Sequence, residues 1–208
     1  MFNPNHFDGG SNLNAGHGSK HLGIIILALL NDLVKVLGIK GILNISTADS
    51  VAVASADSTD EPTLVVLVNE EKGSYNGIAA LANSIKTTLS PLTILAISEP
   101  AALVSSVANA TNTATAITLV NDLKAKYNAA YLLLNQIKAE LNVDGTVVIA
   151  AANLVVEATV NASDLATAIA LSNALKVKLN AAVTLANEIK SDLNGVEKVV
   201  LESTALFA

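Results

Sequence analysis

The sequence predicts an α+β protein: four degenerate 52-residue helix-plus-strand repeats, with long heptad-patterned helices in the C-terminal half and a shorter α/β N-terminal part. Three observations predict it: a gapless self-similarity at an offset of 52, an apolar stripe stepping by four and three residues, and β-branched runs between the stripes. Written one over the other, 114–142 and 166–194 agree at 18 of 29 positions without a gap. Moved back another 52, the frame meets Tyr75, Asn76, Leu81, Asn83, Ile85, Lys86 and Leu89 in matching columns, and then Leu29, Asn31, Leu33 and Leu37. Four registers fill the 208 residues, with the earliest copies the most eroded.

In chain order, residues 1–20 are rich in Gly and Asn and read as an extended arm, with Phe2 and Phe7 as its apolar anchors for a partner or a neighbouring subunit. Leu22–Leu37 reads as a short buried helix, because its apolar run ends at Asn31-Asp32, well short of the ~20 residues of a membrane span. Its polar, non-basic approach also argues against an export signal. Ile42–Ser46 and Thr63–Val68 read as strands, the second because Pro62 precedes it and Gly73 and Gly77 break a helix downstream. A helix over Tyr75–Leu89 and a strand over Leu92–Ser98 complete the smaller α/β region, 21–108.

The region 109–208 carries the long helices. Thr111 and Ser163 read as the N-cap residues of the long helices, with Asn112 and Asp164 next. The seam then runs Ala116, Val120, Leu123, Tyr127, Ala130, Leu134, Ile137, Leu141 in one copy and Ala168, Ser172, Leu175, Leu179, Ala182, Ala186, Ile189, Leu193 in the other. Steps of four and three place each set on one stripe of a helix, as in a coiled coil. Lysines 124, 126, 138, 176, 178 and 190 flank the stripes as solvated edges. Between and after the helices, Thr146–Ala150, Leu154–Val160 and Val196–Leu201 have strand chemistry. A ~30-residue helix and a ~14-residue extended run both span ~45 Å, so parallel helices with returning connectors and antiparallel helices with hairpins both fit. Two long seams per chain do not enclose themselves, so subunits are expected to share a core, as a trimer or a larger array.

A second row repeats every seven residues: Asn121, Asn128, Asn135 and Asn142, then Asn173, Asn180, Asn187 and Asn194, with a shorter version at Asn69, Asn76 and Asn83. Asn is a mediocre helix former. The row reads either as amides bonding a neighbouring backbone or subunit, or as a solvent face inherited by duplication. The seven-residue spacing inside a copy is not explained by duplication at 52.

Composition excludes several chemistries. There is no cysteine, so no thiolate metal site and no thiol nucleophile. All basic residues are Lys and the net charge is −6, which is the wrong surface for nucleic acid. His6, His17 and His21 belong to or border the arm, where Gly18 and Ser19 disfavour the helix that would pair two imidazoles on a metal. Asp57, Asp60 and Glu61 lack the alternation and glycine of a calcium loop and suit a helix N-terminus. No nucleotide, zinc-protease or nucleophile-elbow motif is present. The expectation is a protein with no cofactor, no metal and no catalytic residues, contacting neither membrane nor nucleic acid.

Asp164-Leu165-Ala166-Thr167-Ala168-Ile169 with Leu171, Asn173, Leu175-Lys176 and Asn180-Ala181 resembles a repeat of structural proteins in tailed bacteriophages. Thr115-Ala116-Ile117 through Leu123-Lys124 and Asn128-Ala129 is similar. The resemblance covers about two 30-residue segments strongly and the other copies weakly. It implies a non-enzymatic virion component such as a capsid decoration protein, head fibre or tail accessory protein, with a capsid or tail protein and itself as partners. In that family a histidine often follows the Asn-Ala pair. Ala130 and Ala182 stand there in this chain, so the resemblance supports no histidine metal site. A helical-repeat surface or adhesion protein of a bacterium is the alternative.

Overall fold

A computed structural model describes residues 39–42, 44–89, 102–144, 147–194 and 197–200. The arm with Phe2, Phe7 and the three histidines, the Leu22–Leu37 helix and the Leu92–Ser98 strand lie outside the described residues. The chain divides into two units. In one, comprising residues 1–41 and 198–208, the described residues belong to strands β1 (Ile39–Ile42) and β2 (Glu197–Val200), which pair as a two-stranded sheet. The other unit, 42–197, holds three helices: α1 (Glu61–Leu89), α2 (Thr113–Asp144) and α3 (Leu165–Leu193). The boundary expected near residue 108 falls inside this second unit.

The fold is therefore an all-α bundle and not α+β. Every pair of the three helices is in contact, and the described residues of the runs between them are extended and form no strand. Residues 147–150 have the alternation of a half-buried strand, Val147 and Ile149 being buried and Val148 exposed, whereas in Leu154–Val160 only Leu154 and Glu157 are buried, three residues apart. What they lack is a neighbouring strand. Their backbone is bonded by helix side chains instead, so β-branched chemistry here marks an extended chain lying on helices.

Thr63–Val68 is also corrected, from strand to the first turns of α1. Asp60 caps that helix: its Oδ1 accepts from the Thr63 N–H at 3.0 Å, and the Thr63 hydroxyl oxygen accepts from the Asp60 N–H at 3.1 Å. Asn112 with Thr115, and Asp164 with Thr167, repeat this reciprocal box at intervals of 52. Pro62 falls in the first turn, where its missing N–H has no helical partner to lose. Leu64, Leu67, Val68, Glu71 and Tyr75 then bury one helical face, and this overrides the β preference of the valines. Gly73 and Gly77 are carried inside the helix instead of ending it.

The helices are parallel. Segment 102–110 runs back along α1, 147–162 along α2, and each delivers the chain to the starting end of the helix it has followed. Thr113 hydrogen-bonds Glu61, its counterpart 52 residues earlier, so α1 and α2 start at the same end. The third side of the seam is α1 of the same chain, so no second chain is needed to enclose it. Val120, Leu123, Tyr127, Leu134, Ile137, Leu141, Leu175, Leu179, Ile189 and Leu193 are all buried. Toward the C-terminal end the equivalent positions are uniform: Ile85, Ile137 and Ile189, then Leu89, Leu141 and Leu193.

Candidate functional site: asparagine-lined grooves

An extended chain buried against helices must bond its N–H and C=O groups, or lose about 1–3 kcal/mol for each group left unpaired. The asparagine rows meet that need. In every asparagine of the three rows, Oδ1 accepts from the N–H and Nδ2 donates to the C=O of one and the same residue. On α1, Asn69, Asn76 and Asn83 hold Ala110, Ser106 and Leu103. On α2, Asn121, Asn128, Asn135 and Asn142 hold Ala162, Glu157, Leu154 and Ile149. On α3, Asn173, Asn180, Asn187 and Asn194 hold Ser58, Val53, Ser50 and Ile45.

The spacing follows from geometry. Seven helical residues rise ~10.5 Å, and three extended residues cover about the same distance. Steps of three, as from Leu154 to Glu157 or Ser50 to Val53, are therefore nearly straight. Steps of five carry slack, and the chain bends at Thr47, Ser55 and Ala151 within such steps. Carboxylates grip two of these bends: Glu70 accepts from the Ala54 and Ser55 N–H groups, and Glu188 from those of Ala150 and Ala151. Those bonds, led by the Ser55 hydroxyl, hold the Glu70 carboxyl below its ordinary range.

The lysines are not merely solvated edges. Lys124 donates to Thr159 O at 2.8 Å, Lys126 to Ser105 O at 3.1 Å and Lys178 to Val156 O at 2.6 Å, while Lys138 reaches Ala151 O. Lys176 donates to Ser55 O and pairs with Asp57, and Lys190 pairs with Asp49. Tyr75 and Tyr127 donate their hydroxyls to Val104 O and Val155 O. Burial pushes both phenols up to about 12, with nearby carboxylates adding to it. Glu157 is buried, which by itself would raise its carboxyl. The Thr159 hydroxyl and N–H together with Lys178, 3.1 Å away, bring it below the ordinary value.

One carboxyl has no such support. Glu71 is fully buried on the seam, where the equivalent positions of α2 and α3 carry Leu123 and Leu175. Its Oε2 accepts from the Ser172 hydroxyl at 3.0 Å, and Oε1 has no partner. Desolvation drives this carboxyl well above its ordinary value. The sequence reading placed Ser172 on the seam but missed Glu71; a seam continued by multiples of 52 lands on it.

Among the described residues there is no group of three or more metal-ligating side chains. No helix among them is long and apolar enough to cross a membrane. An open apolar depression of about 330 Å³ lies between segment 102–110 and α2, lined by Tyr75, Leu103, Val104, Lys126 and Ala129. Exposed valines crown the segments at Val51, Val104, Val107, Val148, Val155 and Val160. No family model, curated protein or solved structure matches the chain.

Proposed function

We propose that this chain is a non-enzymatic structural component of a phage particle, which binds the capsid or tail surface and associates with itself. The asparagine rows are the observation that carries this reading. The repeated polar chemistry of the helices is directed at the chain's own backbone, and the grooves are filled by it. Among the described residues, the valines turned outward on the segments form ridges suited to contact. The resemblance of 164–181 and 115–129 to virion repeats supports the location.

The test is mass spectrometry of gradient-purified particles, with gold-labelled antibody locating the protein by electron microscopy. Stoichiometric recovery in particles is the expected result. Recovery in the host envelope and not in particles would replace this reading with a bacterial surface protein.

A further inference from the structure

Three grooves run along the bundle, and they are not closed in the same way. Segment 102–110 fills the α1–α2 groove and is covalently continuous with α2. Segment 147–162 fills the α2–α3 groove and is continuous with α3. The α3–α1 groove is filled by segment 44–58, which leads into α1 at Asp60 and is bonded to α3 by side chains, while the strand just before it, β1, pairs with β2 just after α3. Its partners on α3 are 115 to 149 residues away along the chain. Toward α1 the same segment is held by Glu70 and the short connection 58–61.

Unpaired polar atoms collect along this one groove. The buried side-chain oxygens without a hydrogen-bond partner, among the described residues, are Ser50 Oγ, Glu71 Oε1, Ser74 Oγ and Glu157 Oε2. The last stands 3.1 Å from the Lys178 ammonium. The other three lie on segment 44–58 and α1. At the position of Ser74, α2 and α3 carry Lys126 and Lys178, which reach over to segment carbonyls; Ser74 does not. Glu71 and Ser172 put a polar pair where the equivalent seam positions hold leucine or valine.

We infer that the α3–α1 groove is an exchange seam, at which the asparagine row of α3 takes segment 44–58 from a second copy of this chain. The occupant is specified by what fills the row now: Ile45, Ser50, Val53 and Ser58 present backbone pairs at the row's own spacing, and a second copy presents the same four. Opening breaks no bond that cannot be remade between copies, because the segment's link to α3 is entirely non-covalent. The orphaned oxygens lower the cost of opening here relative to the other two grooves. The inference gives the proposed self-association a route, and rests on that reading only in taking the partner to be a second copy.

Opening also depends on the charge of Glu71. The charged groups acting on it are Glu70 on its own helix and Lys176 on α3, the latter paired with Asp57 of the segment; α2 presents apolar Val120 and Leu123 at this level. Ionisation with Oε1 unpaired loosens α1 from α3, so exchange is faster in alkali.

The experiment mixes unlabelled and ¹⁵N-labelled full-length chains, incubates them at pH 5 and pH 9, and reads mixed-mass species by native mass spectrometry. Mixed species at pH 9, at least tenfold slower to appear at pH 5, are expected. The Glu71→Leu/Ser172→Val variant repairs the seam and should exchange at the slow rate at both pH values. Chains that never mix, or a variant that mixes as fast as the parent, would overturn the inference. A chain absent from particles that still exchanges removes the virion reading alone; one present in particles that never mixes removes only the seam.

Discussion

Gly77 lies beneath Ser50: a Cβ added to the glycine would stand 3.4 Å from the serine Cα and 3.7 Å from its Cβ. That is ordinary contact, so a methyl group fits at this position beneath segment 44–58. Gly73, one turn earlier, has nothing within 4 Å of such a Cβ. Alanine in a helix interior is favoured over glycine by about 1 kcal/mol. Gly73→Ala should therefore gain most of that amount, and Gly77→Ala a smaller gain, in urea unfolding midpoints. A loss at Gly73 would contradict the helix placed there.

Replacing Asn128, Asn135, Asn180 and Asn187 together by Ala tests the rows. Each change gains about 0.5 kcal/mol in helix propensity and leaves an N–H and a C=O of the segment unpaired, at about 1–3 kcal/mol per group. The loss wins at every site. The quadruple variant should melt well below the parent, whereas an unchanged midpoint would make the rows ornamental.

Glu71→Leu with Ser172→Val removes a buried carboxyl and its donor together. Stability at pH 8 should rise by about 1–3 kcal/mol, the cost of a buried group left unpaired. The pH dependence follows from the raised folded-state value. The carboxyl's contribution is complete below its unfolded value near 4.5 and is lost as pH rises through the folded value. Asp60, Glu70, Glu157 and Asp164 are shifted downward and act oppositely, losing their contribution as pH falls. The difference between variant and parent isolates Glu71. It should grow from pH 4 toward alkali in paired urea melts, and a flat difference would refute the assignment.

Tyr75→Phe and Tyr127→Phe each remove one hydroxyl bonded to a segment carbonyl, at 3.1 Å and 2.7 Å. A destabilisation of about 1 kcal/mol is expected for each. In ultraviolet titration the parent should show two phenols ionising near 12, one of which disappears with each substitution.

The seam was legible because burial and period coincide: Leu123, Ile137 and Leu175 step by helical intervals and are all fully buried. The asparagine spacing was legible too, but the identity of its partner was not. Nothing local to Asn180 points to Val53, which lies 127 residues away. The runs around 147–150 and 154–160 are extended, as their β-branched residues imply, but not sheet, because β-branched content favours an extended chain without saying what bonds its backbone; Val196–Leu201 does hold a paired strand. Val147, Val148 and Ile149 alternate against helices as they would in a ladder. Thr63–Val68 was misread for a different reason. Pro62, Gly73 and Gly77 were given the weight of breakers, while the Asp60–Thr63 box, repeated at Asn112–Thr115 and Asp164–Thr167, carried the helix start.

The closing of the third groove also sets an order of events during synthesis. Ser50 leaves the ribosome 137 residues before Asn187, its partner. At ~5–20 residues per second, that is a wait of roughly 7 to 27 s. During this time α1 and α2 can already zip onto segment 102–110, but segment 44–58 has no row to lie in. The nascent chain thus carries an alanine- and serine-rich stretch with an unpaired backbone until α3 emerges. Neighbouring ribosomes on one message would bring such stretches from several chains close together while each is still waiting.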